Sequence, residues 1–265
     1  MKTSTRRDPL TIGILGGGQL ARMLALEAAP LGLRCAILSQ HRDDPAAQVS
    51  GAWHCGDPTS PSDVLTFCQK VNLLTFESEF VPAEILRQLD RTKLKVFPSP
   101  RLMMHLQNRH SQKQLLVEHK IPTAKFLAVS TAKDLDQALN TLGLPLVLKQ
   151  CHGGYDGNGT FHLKTEKDVA TFLARLDQDF IAESWVPFQR ELAVTLVRSK
   201  DGSLVTFPLV ESKQTDNRCD WVYGPIKHKL ALPLIRRLRR FLVKIDYVGS
   251  ISFELFDLGD KLLVN

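Results

Sequence analysis

Lys149 and the loop that follows it are the residues of this chain best suited to chemistry. The apolar run 145–150 carries this one lysine. Gly153-Gly154-Tyr155-Asp156-Gly157-Asn158-Gly159 comes next, four glycines in seven residues, before a second apolar run opens at Thr160. Glycine lets a backbone approach a ligand closely, and successive bare N–H groups form a concavity that holds anions. A lysine on the preceding strand adds a fixed positive charge against the same phosphates. The spacing also suits a tight surface hairpin in which the glycines serve only the turn, and the loop residues alone leave both readings open. Two acids downstream extend the first reading. Glu183 lies in a short run, 180–186, that ends in an acid and an aromatic group and suits an adenine and a ribose. Glu254 is one carboxylate among the apolar residues of 250–256. An acid in a buried strand is costly unless it is paired or binds a cation, and magnesium held by carboxylates and phosphate oxygens is the natural partner.

The N-terminal part offers a second group of candidates. A strand-like run, 10–15, turns through Gly16-x-Gly18-x-x-Ala21 into an apolar-periodic helix with Leu20, Met23 and Leu24 on one face. That spacing matches the dinucleotide fingerprint, in which phosphate sits on a helix N-terminus. The second strand, 33–39, should then end in an acid for a ribose hydroxyl, but Ser39 and Gln40 stand there. A phosphate site without a nicotinamide cofactor therefore stands level with a dehydrogenase. Glu77 and Glu79 close a strand read over 71–77, where parallel sheets place ligands, and are candidates for substrate hydroxyls or, alternatively, acids at the start of the next helix. Arg109 and Lys113, four apart on a helix read over 101–120, either face a phosphate or lie on a solvated basic face.

The elements that must position these residues read as α/β throughout. Residues 43–61, rich in Pro, Gly, Asp and Ser, read as loop; helices over 63–70 and 82–89 and a strand over 94–97 complete a Rossmann-like lobe with a boundary at Pro98-Ser99-Pro100. A second lobe follows as a strand at 126–129, a helix at 133–142, the strand at 145–150, a helix at 166–176 and the strand at 180–186. Beyond it come a hairpin of 190–198 with 204–210, a polar irregular stretch at 212–225 and a basic helix over 230–245. In that helix Arg236, Arg237, Arg239 and Arg240 should form a solvated face. The expected domains are 1–100, 101–186 and 187–265. The chain ends in an apolar return strand without a polar tail, and on that ground it is expected to be a fragment or an early-terminated product.

Composition narrows the function classes. The 265 residues are 43% hydrophobic and 23% charged, as in ordinary globular proteins. No run approaches the roughly 18 to 20 apolar residues that span a bilayer, and the polar start lacks the apolar core of a secretory signal. Cys35, Cys55, Cys68, Cys151 and Cys219 are odd in number and scattered. This argues against disulfides and structural zinc and for a reducing cytoplasm. The net charge of +6 is dispersed apart from the four arginines, so a phosphate-bearing small substrate is expected rather than nucleic acid.

Taken together, the motifs resemble those of ATP-grasp ligases of purine biosynthesis, in particular the N5-carboxyaminoimidazole ribonucleotide synthetases. The segments that carry the resemblance are 13–23, 75–82 (Thr-Phe-Glu-Ser-Glu-Phe-Val-Pro), 108–113 (Asn-Arg-His-Ser-Gln-Lys), 121–123 (Ile-Pro-Thr), 153–159 and 253–256 (Phe-Glu-Leu-Phe), in the family's order over essentially the whole chain. The resemblance implies an ATP-grasp fold preceded by a Rossmann-like domain. The implied reaction is ATP- and bicarbonate-dependent carboxylation of 5-aminoimidazole ribonucleotide in de novo purine biosynthesis. In it ATP phosphorylates bicarbonate to carboxyphosphate, and the exocyclic amine attacks the activated carbon or the carbon dioxide released from it. By motif match, ATP would be bound by Arg109, Lys149, Gly154, Tyr155, Asp156, Gly157, Asn158, Gly159, Thr160, Glu183, Ser184, Trp185, Val186 and Glu191. Glu254 would hold Mg2+, with Mn2+ as a substitute. Gln19, Leu20 and Glu77 would bind the ribonucleotide, and Tyr155 and Asp156 would lie near the imidazole and bicarbonate as catalytic residues. A cytoplasmic homodimer without nucleic-acid or membrane partners is implied as well.

The chain departs from the family pattern in three places. The family's second magnesium carboxylate directly follows the asparagine matched by Asn265, together with a basic segment expected to hold substrate phosphate. Gln214 stands in place of a histidine, and Asn158 in place of a common arginine or lysine. These departures keep two alternatives in view: another ATP-grasp ligase, such as a formate-dependent glycinamide ribonucleotide transformylase, and a non-catalytic nucleotide-binding relative.

Overall fold

The structure, a computed structural model, describes residues 10–154, 158–176, 178–215 and 218–265. The chain divides between Met104 and His105 into two compact units, and its architecture is the expected mixture of a parallel α/β sheet and antiparallel sheets.

In the first unit the strands β1 (Thr11–Leu15), β2 (Arg34–Ser39), β3 (Ala52–Cys55), β4 (Leu73–Phe76) and β5 (Lys95–Val96) alternate with α1 (Gln19–Ala28), α2 (Pro61–Cys68) and α3 (Ala83–Leu89). Their order in the sheet is β3-β2-β1-β4-β5, and every pair is parallel. Helices on its faces make the central strands continuously apolar, as the buried run Ala36, Ile37 and Leu38 shows. The core gathers Leu38, Phe67, Leu74, Ile85 and Leu86. Helix α2 begins where Ser60 accepts a hydrogen bond from the backbone N–H of Asp63, with Pro61 in the first turn. Part of the stretch expected to be loop is the strand β3. It lies at the sheet edge with no fully buried residue, so it needs no run of large apolar side chains.

Helix α4 (Pro100–Gln107), which runs across the division, and α5 (Arg109–Glu118) of the second unit replace the single helix expected over 101–120. Asn108 is the break: its side-chain oxygen accepts from the N–H of Ser111 at 2.9 Å and starts a new helix. An antiparallel sheet follows, ordered β6-β9-β7-β8, from β6 (Phe126–Val129), β7 (Leu146–Gln150), β8 (Thr160–Leu163) and β9 (Phe180–Ser184). Helices α6 (Ala132–Leu142) and α7 (Glu166–Leu173) open with capping boxes, Thr131 with Asp134 and Thr165 with Asp168. The core of this sheet includes Leu135, Leu146, Leu148, Phe172 and Phe180. Phe180 meets Phe161 and Phe172 edge to face, at 5.9 and 5.0 Å between ring centres.

A further antiparallel sheet, ordered β13-β12-β10-β14-β15, completes this unit. It comprises β10 (Arg190–Arg198), β11 (Leu204–Thr206, paired with β10), β12 (Val210–Thr215), β13 (Arg218–Tyr223), β14 (Gly249–Asp257) and β15 (Leu262–Val264). The hairpin partner expected over 204–210 stops at Thr206, ahead of Pro208, which has no N–H for a ladder. The stretch expected to be irregular, 212–225, contains strand instead. Every residue of β13 is exposed, so no buried face imprints an alternation on the sequence. Helix α8 (Ala231–Lys244) buries Leu234, Leu238, Phe241 and Leu242. Arg236, Arg237 and Arg240 are exposed as expected, whereas Arg239 donates to Leu204 O and Thr206 Oγ1, both at 3.1 Å. Phe180→Ala removes a ring that is 1% exposed and should lower unfolding free energy by about 3–5 kcal/mol, read as a fall in the urea midpoint.

Candidate functional site

The charged side chains of the second unit converge on strands β7 and β9. Val147 lies opposite Glu183 in the ladder, so Lys149, two residues on, projects from the same face as Glu183. Its Nζ stands 2.9 Å from Glu183 Oε2. Lys113 reaches the other carboxylate oxygen from α5 at 3.2 Å. The side chains of Lys113, Glu183 and Lys149 are 2%, 4% and 14% exposed. Lys113 is therefore not on a solvated basic face; its spacing from Arg109 delivers one cation to a buried acid. Burial opposes ionisation of Glu183, but the charges of Lys149 and Lys113 outweigh it and hold the carboxyl below its usual range. Two cations against one anion leave this buried group with a surplus positive charge, and Lys149 carries its most accessible end.

The cluster extends to the edge of the other sheet. Lys149 Nζ also donates to Asn265 Oδ1 at 2.9 Å, and Asn265 Nδ2 lies 3.3 Å from Glu254 Oε2. Lys113 Nζ donates to Thr123 Oγ1, which donates to the Val264 carbonyl, each at 2.7 Å. Glu254 corrects the expectation of a buried strand acid. Phe253, Leu255 and Asp257 point into the core, and Glu254 falls on the alternate, open face of β14. There Ala193 lies opposite Glu254 in the ladder, which puts Glu191 on the same face. Burial, followed by the charge of Glu254, pushes the Glu191 carboxyl above its usual range. A cation near the two acids would relieve that repulsion. Among the described residues no group of three or more His, Cys, Asp or Glu is placed to hold a metal ion. Magnesium, which commonly takes one or two carboxylates and completes its shell with phosphate oxygens and water, fits such a site.

The glycine loop is anchored at both ends. Arg109 donates to the Gly154 carbonyl at 2.8 Å. Gly159 has φ +76°, and a Cβ there would collide with the side chain of Gln150, so glycine is required at that position. Asn158 is exposed, Gly159 and Thr160 are half-buried, and Thr160 pairs with Lys149. Tyr155, Asp156 and Gly157 lie outside the described residues. From the last residue of β9 onward, Ser184, Trp185 and Val186 line a cavity of about 430 Å³ with Lys125, Pro187 and Leu263, and Trp185 stands edge-on to His162. Gln214 is exposed on β12, where the pairing with β13 shifts register.

In the first unit the glycines have a different use from the one their spacing suggested. The Gly18 N–H donates to Glu77 Oε2 at 2.8 Å, and a Cβ at Gly16 or Gly18 would strike the same carboxylate. The start of α1 thus holds Glu77 where a dinucleotide would seat its phosphate. Ser39, in the place of the ribose acid, is 2% exposed and accepts from Trp53 Nε1 at 3.1 Å. Gln19 and Leu20, in the first turn of α1, are exposed next to this carboxylate. Of the residues that meet here, Thr123 has no role read from the sequence, and Lys113 and Asn265 are not paired there with Glu183 and Lys149. The signals were present in the Arg109–Lys113 spacing and the Ile121-Pro122-Thr123 helix break, but only the fold shows that they meet.

Two family models match the chain, a ribonucleotide synthetase preATP-grasp domain over residues 10–107 and an ATP-grasp domain over 114–265. The chain is 36% identical to the N5-carboxyaminoimidazole ribonucleotide synthase of Synechococcus elongatus, over 96% of its own length and 65% of that protein's. It is 34% identical to the protein of the same name from Pseudomonas aeruginosa, over 97% of its length and 71% of that protein's. A crystal structure of the Aspergillus clavatus N5-carboxyaminoimidazole synthase with ADP and 5-aminoimidazole ribonucleotide superposes with a TM-score of 0.88 at 28% identity, covering 97% of this chain and 69% of that one. The chain therefore spans about two thirds of the length of these relatives.

Glu191 generates a prediction of unusual sign. A carboxyl whose folded pKa is raised loses stability as pH climbs from the unfolded carboxylate pKa through the folded one. Glu191→Gln should therefore stabilise the ligand-free chain at pH 7, by less than about 1 kcal/mol because the group is only half-buried. In urea titrations the gain should vanish below about pH 4, where the wild-type residue is protonated in both states.

Proposed function

Because the chain belongs to the ATP-grasp family, alongside the N5-carboxyaminoimidazole ribonucleotide synthases, we propose that it serves the carboxylation of 5-aminoimidazole ribonucleotide with ATP and bicarbonate, through carboxyphosphate. The observation that carries this reading is Lys149, held between Glu183 and Asn265 with surplus positive charge on its accessible end. A phosphoryl transfer asks the protein mainly for positioning and charge neutralisation, and this lysine supplies both.

The remaining roles are assigned from the motif match, with the described positions in support. Lys149 and the N–H groups of the 154–160 loop hold phosphates, while Arg109 fixes the start of that loop through the Gly154 carbonyl. Ser184, Trp185 and Val186 border the cavity that takes the base. Glu191 holds the nucleotide from the open face of its sheet. Glu254 would hold magnesium, with Mn2+ as a substitute; when bound, the ion neutralises charge on the transferred phosphoryl group. In the first unit Glu77, fixed by the Gly18 N–H, offers an acceptor for an amine or hydroxyl of the ribonucleotide, next to Gln19 and Leu20. Tyr155 and Asp156 are assigned to the imidazole and bicarbonate. The working form is a cytoplasmic homodimer.

The test uses a version of the chain extended to the length of its relatives. ATP hydrolysis should rise at least about tenfold only when 5-aminoimidazole ribonucleotide and bicarbonate are both added, and Glu254→Gln should remove at least about 90% of that activity. Stimulation by glycinamide ribonucleotide with formate instead would move the chain to the transformylase reading. Nucleotide binding with no turnover for either pair would make it a non-catalytic relative.

A further inference from the structure

The groove between the end of α5 and the outer side of α8 collects positive charge from two separate elements. Arg237, Arg240 and Lys244 follow at spacings of three and four along α8 and so share one side of it. Lys120, just past α5, enters the same groove from a backbone with φ 58°. With His119 and Phe241 these residues line a cavity of about 390 Å³. Its floor is fixed, because Phe241 is 2% exposed and meets the His119 ring edge-on at 5.3 Å.

The groove has no counter-charge. No acid lines it, and among the described residues none of its four cations makes an ion pair. Three other arginines of this unit are engaged: Arg190 with Asp257 and Glu211, Arg198 with Asp246, and Arg239 with a carbonyl and a hydroxyl. Like charges at helical spacings of three and four repel by a few tenths of a kcal/mol per pair, roughly 0.2–0.5. An anion seated among the four side chains would remove that cost. Lys120 joins the three cations of α8 from a different element, and the open groove that they border has the volume of a small molecule.

We propose that this groove binds a small oligophosphate anion, at a site formed by residues other than those of the Lys149 cleft. Guanidinium forks match phosphate oxygens in pairs and lysines add point charges. A single phosphate carries only about two negative charges, so four cations call for two or more linked phosphate groups.

Calorimetric titration of inorganic tripolyphosphate into the 265-residue chain carrying Lys149→Met, at about 150 mM salt, tests this, since that substitution removes the other phosphate-binding cation without adding a competing oligophosphate. One site per chain is expected. The pair Arg237→Ala and Arg240→Ala should weaken it at least about tenfold, and the pair Lys120→Ala and Lys244→Ala should do the same. Arg236→Ala, exposed on the same helix outside the groove, should leave the affinity unchanged, and thermal melts should show all variants folded. Inorganic phosphate should bind at least about tenfold more weakly than tripolyphosphate. The proposal is overturned by absence of saturable binding, by an Arg236→Ala effect as large as that of the groove pairs, by equal affinity for phosphate, or by binding confined to long polyanions such as a single-stranded oligonucleotide. The readout is the loss on replacing groove residues, so it holds whether or not the cleft takes ATP.

Discussion

The second unit turns on one buried carboxylate shared by two lysines. Glu183 is drawn out of water by its place in β9 and is kept ionised by Lys113 at 3.2 Å and Lys149 at 2.9 Å. Removing Glu183 would leave two buried lysines uncompensated, at about 3–5 kcal/mol, whereas removing one lysine leaves a matched pair. Replacing the whole group with apolar residues is often neutral or stabilising, so stability does not explain why three charges stand here. A cation presented at a fixed place with little freedom to move does explain it.

That constraint propagates through hydrogen bonds into the neighbouring strand. Thr123 and the Val264 carbonyl connect Lys113 to β15, and Asn265 connects Lys149 to Glu254. Glu254 and Glu191 then lie together on the open face because the alternation of β10 and β14 turns Leu192, Val194, Phe253 and Leu255 into the core. Positive charge at one end and mutually repelling carboxylates at the other form a polarity suited to a metal–polyphosphate ligand.

Much of this was legible in the sequence, for reasons that can be named. Lys149 ahead of four glycines, Glu183 at a strand end and the alternation in 190–198 each have a local signature, and the first parallel sheet shows as apolar runs separated by helices. The misreadings share a cause as well. Strand β13 is exposed along its whole length and β3 lies at an edge, so neither carries a buried face that would write a period into the residues. Glu254 was read as buried because its flanking residues are apolar, although every second one of them belongs to the opposite face. The glycines at 16 and 18 looked like a phosphate site; only the fold shows that Glu77 occupies the space their missing side chains leave. The partnership of Lys113 with Glu183 spans 70 residues, since 183 − 113 = 70, and no local pattern encodes it.

The central claim is that Lys149 is the phosphate-binding cation of the cleft, with Glu183 and Asn265 serving to hold it there. Calorimetry of a magnesium-loaded, non-hydrolysable ATP analogue binding to the wild-type chain and to Lys149→Met tests it directly. The account predicts a loss of affinity of about 100-fold or more, equivalent to about 2.7 kcal/mol, with the variant still folded. A change of less than about threefold would contradict it.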